Sequence, residues 1–236
     1  MAQARRKSHQ PPRELLCAGL STIFLDLKKG FRAEIPRKAV YRLSVYFRSL
    51  QRLKTNGIRT VSSEALAKAA GVKPTQLRKD LTYFGQFGTR GLGYDVEQLA
   101  DMISEVLGTT SLQPVVLVGV GNLGLALLSY RGFEKEGFEI IAAFDVNSAR
   151  HRAKNSSVGI HPMEMLAQVV REQSVKMAII TVPASAAQEV TNALVQCGIT
   201  GILNFAPLVL DVPETMVVNN VNLAIELENL SFFVQH

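Results

Sequence analysis

Cysteine and histidine are scarce in this sequence, which limits the metal and redox chemistry open to it. Only 2 of its 236 residues are cysteine, Cys17 and Cys197, and they form no Cys-x-x-Cys pair. This argues against a disulfide framework, a zinc site and thiol-based redox sensing. The 4 histidines join no metal-binding pattern: His9, His151, His161 and His236. We therefore expect no bound metal and a reducing compartment.

Long apolar runs are also missing. No run approaches the roughly 18 residues that a membrane-spanning helix needs. The stretch "LLCAGLSTIFL" resembles the apolar part of a signal peptide, but "DLKKGFR" follows it where a small-residue cleavage site should be. With 47% hydrophobic residues the chain can still bury a core. We predict a cytoplasmic globular protein.

Positive charge is concentrated in the first part of the chain. Residues 1–90 contain 19 Lys and Arg against 5 Asp and Glu, a net charge of +14, whereas the remainder contains 7 against 15, a net charge of −8. Such a concentration favours a polyanionic partner, because neutralising phosphates releases condensed counterions. We predict nucleic acid as that partner. An anionic membrane or a plain solvated surface is the alternative.

Two helices are predicted before residue 72. The second is "SSEALAKAAG", with Ser62 or Ser63 as its N-cap and Gly71 at its end. The first begins at Pro36, ends near "TNG" and has an apolar face at spacings of three and four: Val40, Leu43, Phe47 and Leu50.

A third helix is predicted from Pro74 over "PTQLRKDLTYFG", with Leu77, Leu81 and Phe84 on one face. Two short helices joined by a glycine-containing turn are typical of a helix-turn-helix, whose second helix lies in the major groove of DNA. The opposite, polar and cationic face supplies the predicted DNA contacts: Thr75, Gln76, Arg78, Lys79, Thr82 and Tyr83.

The next stretch, "GQFGTRGLGYDV", contains four glycines and predicts a tight β-hairpin that forms a wing. Arg90 would lie at its tip. An arginine on a thin glycine loop suits a narrow, A·T-rich minor groove, where the negative potential is enhanced. Arg90 therefore joins the predicted DNA contacts.

Residues 115–124, "VVLVGVGNLG", end a β-branched run in three glycines spaced G-x-G-x-x-G. The first permits a tight turn, the second lets the backbone approach a pyrophosphate, and the third lets the following helix pack closely. The phosphates would lie at the helix N-terminus. An α/β sheet without a cofactor is the alternative. The predicted NAD(H)-binding residues here are Gly119, Val120, Gly121, Asn122, Leu123 and Gly124.

A second predicted strand, "FEIIAAFD", ends in Asp145, 21 residues beyond Gly124. A carboxylate at this distance accepts hydrogen bonds from the adenosine ribose and repels a 2′-phosphate. NAD(H) is therefore favoured over NADP(H), although Arg150 and Arg152 lie nearby in the sequence and point the other way.

Further strand–helix units follow, with strands at "MAIITVP", "GILNFAP" and "VVNNVNL". The carboxyl ends of parallel strands line a ligand crevice, which adds a second group of candidate cofactor contacts: Thr181, Val182, Pro183, Asn204, Phe205 and Ala206. The chain ends in "AIELENLSFFVQH", an amphipathic helix that either meets a partner subunit or packs onto its own domain.

The predicted fold class is therefore α/β with four segments. Residues 1–34 are a basic, mobile extension, and residues 35–108 form a winged helix-turn-helix domain that binds DNA. Residues 109–221 form a Rossmann-like parallel-sheet domain that binds NAD(H), and residues 222–236 form a C-terminal dimerisation helix.

The sequence resembles the Rex family of redox-sensing transcriptional repressors over about residues 36–236. The resemblance is most specific in "LRKDLTYFGQFGTRGLGY", "VGVGNLGLALLSY" and "GILNFAP". It implies a homodimer that binds an inverted-repeat operator in double-stranded DNA, C-terminal helices exchanged between subunits, and NADH as the effector that releases DNA.

The resemblance also implies three switch residues. By position these are Arg48 in the first helix, Tyr130 after the glycine loop, and Asn222 before the last helix. The family has an aspartate at the last of these positions, so Asn222 is a departure from its pattern.

Two other function classes compete with this interpretation. An NAD-dependent dehydrogenase needs an acid or base beside the nicotinamide and a substrate domain. None of the histidines suits that role, and fewer than thirty residues follow "NFAP". A CoA-binding or plain nucleotide-binding module is harder to separate, because the same loop accepts other nucleotides. We predict a regulator without catalytic activity.

Overall fold

A computed structural model describes residues 35–85, 87–88, 92–148 and 158–235. The chain divides into two compact units, one ending at Leu107 and the other beginning at Gly108. The first unit is helical with a small two-stranded sheet, and the second is an α/β unit with a six-stranded sheet. The predicted extension at residues 1–34 lies outside the described residues, as do Arg90, Arg150 and Arg152.

The described residues of the first unit form four helices: α1 (Arg37–Thr55), α2 (Ser63–Ala69), α3 (Pro74–Thr82) and α4 (Val96–Leu107). Ser62 caps α2, because its hydroxyl accepts a hydrogen bond from the Ala65 backbone N–H at 3.1 Å. Gly71 adopts φ +68°, a left-handed conformation that ends α2 and starts the turn into α3. The predicted helix-turn-helix is confirmed.

The buried face of α1 differs from the predicted one. Val40 was expected in the core but is 39% exposed, and Phe47 packs only at its edge. Tyr46 is fully buried instead, since its hydroxyl has a hydrogen-bond partner inside the unit. The buried residues of α1 are Ala39, Leu43, Tyr46, Ser49 and Leu50.

The small sheet pairs β1 (Thr60–Val61) with β2 (Tyr94–Asp95) in antiparallel orientation. The sequence analysis predicted a hairpin within "GQFGTRGLGYDV" and did not predict this pairing. Strand β2 pairs with β1, which precedes α2 in the sequence. Gly88 and Gly93 approach each other closely: a Cβ on Gly88 would lie 2.8 Å from the Gly93 carbonyl oxygen. Residues 86 and 89–91, which include the predicted wing tip, lie outside the described part of the chain.

The second unit contains β3 (Gln113–Val118), β4 (Phe138–Phe144), β5 (Ile160–His161), β6 (Met177–Ile180), β7 (Gly201–Asn204) and β8 (Val217–Asn220). All are parallel, in the order β5-β4-β3-β6-β7-β8. From β3 the chain adds β4 and β5 on one side of the sheet. It then crosses to the other side of β3 and adds β6, β7 and β8 in turn. This is the Rossmann strand order, and its ligand crevice lies where the direction reverses.

Both faces of this sheet are buried, as expected of parallel sheets. Val116 and Val118 of β3 belong to one core, and Val115 and Leu117 to the other. The first core is covered by α7 (Leu166–Glu172) and α8 (Ala184–Gln196), the second by α5 (Asn122–Leu128) and α6 (Gly132–Lys135). Helix α7, which follows a short 3-10 turn at Met163–Met165, was not predicted from the sequence.

The last helix, α9 (Leu223–Gln235), has no buried residue. In the structure this helix is therefore not packed onto its own domain, which was one of the two alternatives. Its apolar side chains are between 49% and 78% exposed: Leu223, Ile225, Leu227, Leu230, Phe232, Phe233 and Val234.

Candidate nucleic-acid interface and nucleotide site

The predicted DNA contacts on α3 lie mostly at its surface. Thr75, Arg78, Lys79 and Thr82 are exposed, while Gln76 and Tyr83 are partly buried. A cationic face on the second helix of a helix-turn-helix fits the major groove of DNA in shape and charge. Arg90 is beyond the described residues, so the minor-groove contact stays a prediction.

Arg78 is held by α2 in this structure. Its Nη1 donates to Ser63 Oγ at 2.9 Å and lies 3.4 Å from the Glu64 carboxylate. Both side chains of this ion pair are largely exposed. Exposed pairs of this kind contribute little stability, so the guanidinium is able to exchange Glu64 for a phosphate or a base edge.

The sequence interpretation missed a buried charged residue on α3. Asp80 is fully buried, and its carboxylate accepts hydrogen bonds from α1. Arg42 donates through Nε at 2.5 Å and through Nη2 at 2.7 Å, a two-point pairing of guanidinium and carboxylate. The Tyr46 hydroxyl donates at 2.7 Å, and Gln76 Nε2 donates at 2.8 Å.

These hydrogen bonds shift the pKa values of the residues in the cluster. Burial alone would raise the pKa of Asp80, but the bonds from Arg42, Tyr46 and Gln76 outweigh it and leave that pKa below its usual value. Burial, followed by the hydrogen bond to Asp80, raises the pKa of Tyr46. The Asp80 carboxylate raises the pKa of Arg42. The cluster is therefore charged at neutral pH and ties α3 to α1.

A sequence signal for this cluster did exist. Asp80 lies between Leu77 and Leu81 on the apolar face of α3, where an unpaired carboxylate would be costly. Arg42 and Tyr46 are spaced i, i+4 on α1, so they share one face of that helix. An acid on an apolar face combined with a donor pair on a neighbouring helix predicts a buried ion pair.

The glycine-rich loop lies at the end of β3, beside the end of β6. Gly119 has φ +98°, and a Cβ there would lie 2.7 Å from a Val182 methyl group. A Cβ on Gly124 would overlap the Gly119 carbonyl oxygen, so α5 packs directly on the loop. Gly121 differs from both, because a Cβ there would meet nothing within 4 Å. The loop thus leaves open space above Gly121, at the start of α5.

Two side chains hold this loop from opposite sides. Asp145, directly after β4, accepts a hydrogen bond from the Val120 N–H at 2.7 Å through Oδ2. Thr181, directly after β6, donates from its hydroxyl to the Gly119 carbonyl oxygen at 2.6 Å. Both residues were predicted as cofactor contacts, and both lie at the switch point of the sheet. Each of them therefore binds the backbone of the loop in this structure.

The residues present fit a dinucleotide. The N-terminal N–H groups of α5 follow Gly121, whose side chain position is open, and this combination suits a pyrophosphate. Asp145 Oδ2 accepts from the Val120 N–H and Oδ1 from the Asn147 N–H, at the strand end where a dinucleotide fold places the acid that meets a ribose. The two remaining members of the predicted loop set, Asn122 and Leu123, are exposed on the first turn of α5.

Asn204, predicted as a cofactor contact, is fully buried. Its Nδ2 donates to the Ala206 and Leu208 carbonyl oxygens and to Asn220 Oδ1, and its Oδ1 accepts from the Ala206 N–H. This side chain shapes the loop after β7. Other members of the second group are nearer the surface: Thr181, Val182 and Phe205 are partly buried and Pro183 is exposed, whereas Ala206 is buried.

The three predicted switch residues belong to different elements of the chain. Tyr130 is 60% exposed, and its ring meets Phe133 edge-on at 5.1 Å. Asn222 caps α9, since its Oδ1 accepts from the Ala224 N–H at 3.0 Å. Arg48 is exposed on α1, in the first unit.

The described residues hold neither a metal-binding cluster nor a membrane-spanning helix. Across 35–85, 87–88, 92–148 and 158–235, no group of three or more acidic, histidine or cysteine side chains is placed to hold a metal ion. Within the same ranges, no helix combines the length and apolar character required to cross a membrane.

The fold and the two sites define a class of protein: a helix-turn-helix unit joined to a dinucleotide-fold unit. Two family models match the corresponding segments. "Putative DNA-binding protein N-terminus" matches residues 34–82, and "CoA binding domain" matches residues 110–208.

Curated relatives extend the match over most of the chain. A "Redox-sensing transcriptional repressor Rex" of Carboxydothermus hydrogenoformans is 47% identical over 88% of this chain and 99% of its own. One of Pelotomaculum thermopropionicum is 46% identical over 84% of this chain and 93% of its own. The chain belongs to the Rex family of redox-sensing transcriptional repressors.

Solved structures agree with this assignment. A Rex-family repressor named RSP, in complex with β-NAD+ and operator DNA, superposes with a TM-score of 0.79 at 33% identity. That match covers 85% of this chain and 92% of RSP. RSP in complex with β-NADH gives a TM-score of 0.75 at 31% identity, over 85% of this chain and 94% of RSP. The predicted fold class, a helix-turn-helix domain followed by a Rossmann-like parallel-sheet domain, is confirmed. The four segment boundaries and the exchange of the last helix stay predictions.

Proposed function

We propose that this protein is a DNA-binding repressor that senses the NADH/NAD+ ratio. It binds an inverted-repeat operator as a homodimer, and NADH releases it. The supporting observation is that a cationic helix-turn-helix and a dinucleotide-binding loop occur in the same chain. RSP, a member of the same family, was crystallised with β-NAD+ and operator DNA, and also with β-NADH. Because its partner is DNA, we place the protein in the cytoplasm.

The DNA contacts follow from α3 and the wing. Lys79 and Arg78 face solvent on α3, and Thr75, Thr82 and Tyr83 provide hydroxyl groups beside them. In a helix-turn-helix these positions reach base edges and phosphates. Asp80 holds α3 against α1 and thereby fixes the angle at which this face is presented. Arg90 enters the minor groove next to the recognised bases.

The nucleotide is held at the switch point of the parallel sheet. The pyrophosphate lies over Gly121 and the start of α5, and Asp145 accepts the ribose hydroxyls. A 2′-phosphate would meet the Asp145 carboxylate, so NADPH is rejected by charge repulsion. The bound group supplies the redox signal, since oxidised nicotinamide is positively charged and reduced nicotinamide is neutral.

The response requires coupling between nucleotide and DNA binding. If NADH lowers operator affinity by a given factor, the operator lowers NADH affinity by the same factor. Arg48, Tyr130 and Asn222 are the residues we propose to transmit this coupling. Asn222 is suited to it because it sets the first turn of α9.

We assign the homodimer interface to α9. A helix with seven large apolar side chains exposed on its surface needs a partner, because apolar patches of this kind mark protein interfaces in water. We propose that a second copy of the chain covers this helix, as exchanged C-terminal helices would do. A two-fold dimer also matches the symmetry of an inverted-repeat operator.

We further propose that the protein has no catalytic activity. Its relatives are named as transcriptional repressors. A CoA-binding module is a second candidate, because the family model that matches residues 110–208 carries that description. A calorimetric panel of NADH, NAD+, NADPH and CoA separates the two, since the repressor binds NADH best and a CoA module binds CoA best.

The test of the repressor function is selection from random duplexes with and without NADH. We expect a palindromic site whose half-site centres are about 10 bp, or a multiple of it, apart. NADH is expected to abolish the selection. Recovery of no preferred duplex in either condition would reject the proposal.

A further inference from the structure

Gln76 lies in the first turn of α3, and one end of its side chain is already bound by the protein. Its Nε2 donates to Asp80 Oδ1 at 2.8 Å. The i, i+4 spacing places the two side chains on one helix face, which makes the bond possible. The Gln76 amide is therefore held in position before any partner binds.

The chemistry of Asp80 determines which end of that amide faces the protein. The carboxylate is buried, pairs with Arg42 and has a pKa below its usual value, so it is ionised at neutral pH. An ionised carboxylate only accepts hydrogen bonds. Turning the amide would place its oxygen against Asp80, with two acceptors in contact and no proton between them. The nitrogen of Gln76 must therefore face Asp80.

The other end of the amide is left for a partner. Within the described residues, no hydrogen bond reaches Gln76 Oε1. In that same part of the chain, no side-chain nitrogen or oxygen is buried without a hydrogen-bond partner. Oε1 is therefore open to solvent, in the first turn of α3, which also carries the exposed Thr75.

We propose that Gln76 reads an exocyclic amino group, that of adenine or cytosine, at one position of each operator half-site. The inference rests on the proposed function. In the major groove adenine and cytosine present amino donors, whereas guanine and thymine present carbonyl acceptors. An unrestrained glutamine turns its amide to suit either kind. Gln76 turns only by breaking its bond to Asp80, so Asp80 is the positioning residue and Oε1 is the Gln76 atom that meets the base. Only one hydrogen of Nε2 goes to Asp80, and the other can donate to N7 when that base is adenine. Guanine or thymine would place a carbonyl oxygen against Oε1.

The test measures binding of the full-length protein to a set of operators in which each half-site base is changed in turn. The parent is compared with Gln76→Met, which has nearly the same length but no polar end. Gln98→Met is the matched control, because Gln98 is exposed on α4 of the same unit. We expect one position at which the parent prefers adenine or cytosine by about tenfold. Gln76→Met loses that preference and Gln98→Met retains it.

Two results would overturn the inference while leaving the repressor function intact. One is a Gln76-dependent position that prefers guanine or thymine, and the other is an unchanged base profile in Gln76→Met. NMR of the free protein provides a second readout. The Gln76 side-chain NH2 is expected to exchange with water more slowly than that of Gln98, and equal exchange would contradict the fixed amide. A parent that selects no duplex would instead reject the proposed function, and the base-reading role with it.

Discussion

The Asp145 carboxylate accepts a hydrogen bond from the backbone N–H of Val120 at 2.7 Å, so the acid at the end of β4 is bound to the glycine-rich loop. This bond gives Asp145 two roles, because the same carboxylate is placed to accept ribose hydroxyls. Loss of the side chain would then disturb the loop as well as the specificity for the nucleotide.

The first prediction separates these two roles of Asp145. Asp145→Ala is expected to weaken NADH binding by about 10- to 100-fold, since a charge-assisted bond to the ribose and a loop contact are both lost. It is also expected to erase the preference of the parent for NADH over NADPH. Calorimetry with both cofactors measures this, with Glu139→Ala on β4 as the control. Tight NADPH binding by the parent would remove Asp145 from this role and point to Arg150 or Arg152.

The second prediction concerns the cationic face of α3. Arg78→Ala and Lys79→Ala are each expected to reduce operator affinity by about 1–3 kcal/mol if the side chain reaches a base edge, and to flatten specificity at one position. Lys135→Ala removes the same charge from the second unit and serves as the control. Arg90→Ala should instead weaken binding to A·T-rich flanks. Parent-like operator binding by Arg78→Ala, Lys79→Ala and Arg90→Ala would show that the recognition helix is wrongly assigned.

The third prediction follows from the lowered pKa of Asp80. A lowered folded-state pKa stabilises the protein above the unfolded value of about 4, and this contribution is lost as the pH falls through the folded pKa. Asp80→Asn is expected to cost about 3 kcal/mol at neutral pH, because it leaves Arg42 without its carboxylate.

Thermal unfolding followed by circular dichroism between pH 2 and pH 7 measures this cost. The difference between parent and Asp80→Asn should be largest above pH 5 and should shrink below about pH 4. The exposed Asp101→Asn on α4 is the control. A difference that stays constant over the whole range would mean that Asp80 stabilises the fold by packing and not by its charge.

The fourth prediction concerns Asn222, which caps α9 where the family pattern has an aspartate. Aspartate caps a helix as well as asparagine does, so Asn222→Asp should leave stability nearly unchanged. If the side chain also faces the nicotinamide, the added charge should strengthen NAD+ binding by about 1 kcal/mol and barely change NADH binding. Titration of both cofactors, with and without operator, measures this. Equal NAD+ affinity in the two proteins would mean that residue 222 serves only as a helix cap.

The fifth prediction concerns oligomeric state. Leu227→Glu and Phe233→Glu place charges on the apolar surface of α9 and are expected to convert the dimer to monomer. Sedimentation velocity measures the mass, and Glu228→Gln on the same helix is the control. Dimers in both glutamate variants would show that another surface holds the subunits together.

The sequence predicted the features that depend on local rules. The glycine spacing, the acid after the second strand and the Ser62 cap each require a particular residue at a particular place, and each could be identified before the structure. Features that depend on tertiary pairing were missed. Tyr46 is buried where Phe47 was expected, because its hydroxyl donates to Asp80, 34 residues away in the sequence.

The same limit applies to Asn204 and β2. Asn204 precedes "FAP" at a strand end, a position typical of ligand contacts, but its amide is saturated by bonds to the backbone and to Asn220. Strand β2 pairs with β1 across the whole of α2 and α3, and no local pattern indicates that partner. The sequence therefore indicated which residues lie at strand ends. It did not indicate whether their side chains face a ligand or bond to the protein itself.

NADH and operator DNA are expected to bind antagonistically to this protein. Fluorescence anisotropy of a labelled operator, titrated with the full-length protein at fixed salt in the presence of saturating NADH, NAD+ or neither, measures this directly. We expect at least a tenfold loss of operator affinity with NADH, and retained binding with NAD+ and without nucleotide. Operator affinity that is the same in all three conditions would contradict it.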